Sequence, residues 1–193
     1  MMSLLIIGLL LFIGMHSVGL FAPNIRQCGI AKLGVLGWKG VYSLVSIVGF
    51  VLIVKGYAMA RLDPVWLYFP PAGLRHASAL LSTIAMVFLA AYLLPKNAIK
   101  SKMGHPMYLA VKTWAVAHLL ANGALADLIL FGSFLAWAVV GFIIRRKQDR
   151  ATGKQACESR LPMTIATIVL GIALTGAFVM HLHGLLIGVK PFG

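Results

Sequence analysis

Carboxylates are the scarcest functional group in this chain. Only four Asp and Glu residues stand among 193, and of these Asp127 alone falls inside a long apolar stretch. A metal site built from carboxylates, or a proton relay running through them, has too few parts to assemble. Cysteine is rarer still: Cys28 and Cys157 are the whole complement, both in basic segments, with no C-x-x-C pair. That argues against a structural disulfide. There is no G-x-S-x-G, no H-E-x-x-H and no P-loop, so familiar hydrolase, zinc-protease and nucleotide chemistries find no motif here. Internal repeats and low-complexity tracts are also missing. Charged residues make up only 11% of the chain, where soluble domains carry about a quarter.

What is present is hydrocarbon. The chain is 61% hydrophobic with a mean hydropathy of +0.95, which makes it an integral membrane protein. Six apolar segments approach the ~20 residues that a helix needs to cross a bilayer. They run over residues 1–21, 38–60, 76–94, 106–122, 125–144 and 161–183, which predicts an all-α, polytopic bundle. The first reads as a span rather than a cleaved leader, since it has no basic n-region and no A-x-A-like site. Pro70-Pro71, Pro95, Pro106 and Pro162 lie at segment edges, where proline starts or stops a helix. Nothing marks a second domain, so residues 1–193 read as one transmembrane domain.

Seventeen Lys and Arg against four acids give a net charge of +13. In a soluble protein that balance would point to nucleic acid. Here the cations cluster between apolar spans, so their partners are anionic membrane lipids and nucleic acid is set aside. Twelve of the seventeen flank the first, third and fifth loops, including Arg26, Lys32, Lys102 and the run from Arg145 to Arg160. The positive-inside rule then puts both termini away from the cytoplasm. The basic stretch 145–160 resembles a cytoplasmic linker.

Two histidines lie inside predicted spans: His16 in the first and His118 in the fourth. A titratable ring in hydrocarbon is costly enough to count as a functional-site hypothesis by default. Imidazole is also a common protein ligand of haem iron. The face of His118 comprises Val111, Trp114, Ala115, Ala121 and Asn122, whose small members leave room for a flat ring or simply for a neighbouring helix. His16 shares its face with Leu9, Phe12, Ile13, Gly19 and Leu20, and a lone histidine there is commonly a packing residue. Depth offers a check on pairing them. His16 lies ~8 Å from the end of its span; His118 matches this at ~9 Å if Lys112 marks the interface, and fails to match at ~18 Å if the helix begins at Pro106.

Other histidines carry less. His105 stands ~140° around the helix from His118 and more plausibly shapes a turn than shares its ligand. Arg75-His76 opens the third span and suits either a carboxylate or phosphate group, or plain interfacial anchoring. His181 and His183 point to different faces. Ser43, Ser46, Gly49 and Gly56 form a predicted packing stripe on the second span.

The blocks Gly14-Met15-His16-Ser17 with Gly19-Leu20, Leu74-Arg75-His76, Gly104-His105-Pro106, and Trp114-Ala115-Val116-Ala117-His118-Leu119-Leu120-Ala121-Asn122-Gly123 together resemble the signature of the NnrU family. The resemblance runs from the first helix to about Arg146 and implies a bacterial inner-membrane protein associated with denitrification. The family is similar in turn to the 15-cis-zeta-carotene isomerase of plants and cyanobacteria, a membrane enzyme that uses haem b. Carried over, its iron ligands fall on His16 and His118, with Arg75, His76 and Asn122 as further cofactor-binding candidates. The chain departs from the isomerase at Ala115, where that enzyme has a cysteine able to serve as an alternative iron ligand.

The expectation is a six-span protein holding one haem b between its first and fourth spans. It would act as an isomerase of an apolar, polyene-like small molecule, or as a redox or gas-responsive factor in nitrite and nitric oxide metabolism. The alternative is a transporter or assembly factor without haem, whose histidines only pack.

Overall fold

The computed structural model describes residues 2–189 and 191. The chain is all-α, with no strand among the described residues. Its helices are α1 (Met2–Phe21), α2 (Pro23–Ala60), α3 (Leu74–Leu93), α4 (Ala98–Met103), α5 (Pro106–Ala121), α6 (Leu125–Ala151), α7 (Leu161–Ala177) and α8 (His183–Ile187). A π-helical turn, Phe178–Leu182, joins the last two. The chain divides into two compact units, Met1–Val65 with Ala124–Ser133, and Trp66–Gly123 with Phe134–Gly193.

In the first unit α1 packs against α2 through glycines. A methyl group on Gly8 would meet the Ile53 backbone nitrogen at 2.6 Å, one on Gly49 the Phe12 nitrogen at 2.8 Å, and one on Gly56 the Leu5 backbone. Small residues let two backbones approach this closely where lipid supplies no hydrophobic drive of its own. The buried stripe is therefore Ser46, Gly49, Ile53, Gly56 and Tyr57. Ser43, expected on that stripe, is exposed.

The expected span from Trp38 to Ala60 is helical, and it is preceded by a further helical piece from Pro23, where the sequence predicts a loop. Residues 23–33 form a first helical piece, and Gly34, at φ 70°, ψ 171°, breaks the helical path before a second piece continues to Ala60. That conformation is open essentially to glycine alone. The bend lays the Trp38 ring against Gly29.

In the second unit α3 packs on α5 and α7. Gly171 admits Val87, whose Cα would lie 2.6 Å from an added methyl. Asn97, 1% exposed, ties the segment after α3: its amide donates to the carbonyls of Ala91 and Leu94, while its Oδ1 accepts from the Lys100 nitrogen. The Thr164 hydroxyl of α7 then accepts from the Ala98 nitrogen at 2.9 Å. The basic linker is shorter than expected, because α6 continues as helix through Ala151.

Five helical stretches are long and apolar enough to cross a membrane: Met2–Phe21, Pro23–Ala60, Leu74–Leu93, Leu125–Ala151 and Leu161–Ile187. Their outer faces carry exposed leucines such as Leu10, Leu36 and Leu44, as suits contact with lipid. The fourth expected span, residues 106–122, corresponds to α5, which has only 16 residues and is not among these five. This is a multi-pass membrane protein.

Candidate functional site

His16 sits on the last-but-one turn of α1 with its ring stacked on Phe12, centroids 4.2 Å apart. Its Nδ1 lies 2.7 Å from the Phe12 carbonyl oxygen. A carbonyl can only accept, so Nδ1 is the nitrogen that carries hydrogen. In the neutral ring this places the lone pair on Nε2, the arrangement found in metal-bound histidines whose other nitrogen is anchored to a backbone carbonyl. Tyr42 approaches from α2, ring centroids 5.2 Å apart. Between these helices lies a cavity of about 170 Å³, lined by His16, Gly19, Arg26, Trp38 and Tyr42 among others. Small-molecule sites usually run ~300–1,000 Å³. Within this unit, then, the donor chemistry suits a macrocycle but the space admits only its edge.

His118 repeats the arrangement on α5. Its Nδ1 lies 2.9 Å from the Trp114 carbonyl oxygen, and the Trp114 ring stands 5.0 Å away, tilted by 51°. Here too the backbone fixes the hydrogen on Nδ1 and the lone pair on Nε2. Both histidines thus follow an aromatic residue by four positions, use its carbonyl and lean on its ring.

The end of α5 explains the rest of its sequence block. Asn122 donates its side-chain amide to the His118 carbonyl at 2.8 Å, so it secures the helix terminus next to the candidate ligand. Gly123 accepts from the backbone nitrogens of Leu67 and Tyr68 at 2.9 and 3.2 Å. A side chain at position 123 would collide with the Tyr68 carbonyl. The Tyr68 hydroxyl reaches back to the carbonyls of Leu119 and Asn122. Tyr68 was not anticipated, since it lies 54 residues from Asn122 with no local signal.

Because α5 begins at Pro106, His118 stands twelve residues along it, ~18 Å, against five residues, ~8 Å, from His16 to the end of α1. Equal depth therefore lends the pair no support. Arg75 and His76 lie exposed in the first turn of α3. His105 closes a turn: its Nε2 pairs with Asp149 Oδ2 at 2.9 Å. His183 Nδ1 donates to the Val189 carbonyl at 2.6 Å.

Asp127, the one carboxylate in a span, is 5% exposed and fully engaged. It accepts from the Tyr57 hydroxyl at 2.6 Å and from the Ala124 nitrogen at 2.8 Å. Its role is to close the start of α6 onto α2. Among the described residues no three His, Cys, Asp or Glu side chains gather to hold a bare metal ion.

Compared with known proteins, residues 4–191 match the family model described as NnrU protein. Neither the curated proteins nor the solved structures give a match.

Proposed function

The chain belongs to the NnrU family, and from that premise we propose that it is a haem b protein of the bacterial inner membrane. In this reading it serves as a redox or gas-responsive factor in nitrite and nitric oxide metabolism. The observation that carries the reading is the shared setting of His16 and His118. Each is an imidazole in an apolar helix whose Nδ1 hydrogen is held by a carbonyl, leaving Nε2 as the donor. Haem, when bound, supplies an iron that exchanges electrons or takes up a small gas. His16 and His118 would each offer Nε2 as an imidazole ligand to the iron, and Arg26 beside His16 would offer a guanidinium to a carboxylate of the macrocycle. Asn122 acts through its bond to the His118 carbonyl by holding the helix end still.

Ala115 weighs against isomerisation of a polyene-like substrate. It is fully buried, and its methyl group has no lone pair to replace a departing histidine. Ligand exchange to thiolate has no residue to perform it there. Electron exchange and gas binding need no such residue.

The test is optical. Protein purified in detergent from haem-replete cells is expected to show a Soret band, with six-coordinate iron at rest. His16→Ala or His118→Ala should lose most of the haem or become five-coordinate, whereas His105→Ala should leave the spectrum intact. Carbon monoxide is expected to change the spectrum only after reduction. A colourless protein would overturn the reading and leave the histidines as packing residues of a transporter or assembly factor.

A further inference from the structure

We propose that the cleft between the end of α4 and the cationic end of α6 is a binding site for one anionic phospholipid. The cleft measures about 720 Å³ and lies wholly within the second unit. Four cations line it: Lys102 from α4, and Arg146, Lys147 and Arg150 from α6. Its remaining walls are apolar, formed by Met103, Phe142 and Ile143.

The α6 residues form one stripe at helical spacing. Phe142 and Ile143 lie where the apolar run of the helix ends, and the cations follow over the next two turns. From Phe142 to Arg150 is ~12 Å along the axis. That distance joins the hydrocarbon edge to the headgroup layer, which adds only several ångströms per leaflet. A phospholipid has this same order of parts, apolar chains below and a phosphate above.

Among the described residues no carboxylate forms an ion pair with the cations of the cleft. Among the described residues the two nearby carboxylates are engaged elsewhere, Asp149 by His105 and Lys154, Glu158 by Lys96 and Arg160. Lys112 adds a further cation behind the wall, its ammonium 5.3 Å from the centre of the Phe142 ring. Like charges gathered this way repel unless an anion sits among them. One of them is also seated in advance: Gly104, at φ 86°, has no side chain, and the Arg146 Nη1 rests 3.0 Å from where a methyl group would stand.

The apolar walls decide the source of the phosphate. A free inorganic anion would gain nothing from Met103, Phe142 and Ile143, whereas acyl chains would cover them. Basic pockets between helices on the cytoplasmic side are suited to lipid phosphates on the same grounds.

Native mass spectrometry of the delipidated full-length chain tests this, titrating phosphatidylglycerol, phosphatidylcholine or inorganic phosphate. One phosphatidylglycerol per chain should be retained, and the other two should not bind at the same concentration. The double change Arg146→Gln with Lys147→Gln should weaken retention about thirtyfold, at roughly one charge's worth of attraction per residue. Lys32→Gln with Lys39→Gln, exposed cations outside the cleft, should change it less than about twofold. Equal loss in both double variants would reduce the site to diffuse attraction and overturn the proposal. Equal retention of phosphatidylcholine, or displacement of the lipid by phosphate alone, would overturn it too. Should the first variant not fold, Lys102→Gln with Arg150→Gln, both exposed and on opposite walls, should give the same loss.

Discussion

Tyr57 and Asp127, seventy residues apart, share a hydrogen bond of 2.6 Å inside the first unit. The tyrosine is 8% exposed and the aspartate 5%. The bond runs from α2 to the first turn of α6, and the second carboxylate oxygen takes the Ala124 nitrogen. A buried acceptor with both oxygens served is stable; one that loses a donor bears its full desolvation. Tyr57→Phe is expected to destabilise the protein by about 1.5–3 kcal/mol, and Asp127→Ala by more, because it abandons two donors. Thermal unfolding in detergent measures both. A Tyr57→Phe variant that melts with the parent would show the bond to be incidental.

Gly123 gives a sharper geometric prediction. Its carbonyl takes two backbone nitrogens from the segment before α3, and a methyl group would run into the Tyr68 carbonyl. Backbone cannot move aside as a flexible side chain can. Gly123→Ala should cost about 1–3 kcal/mol and loosen the end of α5 next to His118. Amide exchange at residues 119–123 is the measurement, and exchange as slow as in the parent would count against it.

Asp149 is expected to contribute to the acid limb of stability. Burial pushes its carboxyl upward, but His105 and Lys154 outweigh this and hold it below the ordinary 3.8. A carboxylate whose folded value is depressed contributes stability that is fully present above the unfolded value and is lost as pH falls through the folded one. The contribution should be intact from about pH 5 upward and fade below about pH 4. Asp149→Asn should flatten that limb in melts recorded against pH. An unchanged limb would assign the acid sensitivity to another group.

Orientation is testable at Cys157 and Cys28, both exposed thiols. Nine of the seventeen cations lie with the two segments that contain them, so both should react with a membrane-impermeant reagent only after the cells are opened. Labelling of Cys157 in intact spheroplasts would reverse the assignment. Labelling of one cysteine and not the other would mean that the number of crossings between them is odd.

The helical class was legible because apolar runs of this length have few other uses. The start of α2 was not. Residues 23–37 carry glycine and cations at loop-like density, and only the structure shows residues 23–33 as a helical piece set off from the span by the kink at Gly34. The family blocks were legible as residues but not as parts. Gly104-His105-Pro106 proves to be a turn that seats Arg146 and pairs with Asp149. The four-residue spacing from Phe12 to His16, and from Trp114 to His118, stood in plain view. Its meaning lay in a ring nitrogen's hydrogen bond, which no periodicity encodes. Tyr57 with Asp127 and Tyr68 with Asn122 left no local trace, since each is a match between distant segments.

The shortness of α5 bears on how far from water His118 can sit. Sixteen residues span ~24 Å, about 6 Å less than the hydrocarbon of a typical bilayer. Lipid meeting such a helix thins, or the surrounding protein makes up the difference. His118 is three residues from the helix end, under 5 Å along the axis. The imidazole therefore belongs to the rim of the membrane rather than its middle. Whatever it holds lies within one helical turn of one end of α5 and more than three turns from the other, so that nearer end sets how closely water approaches it.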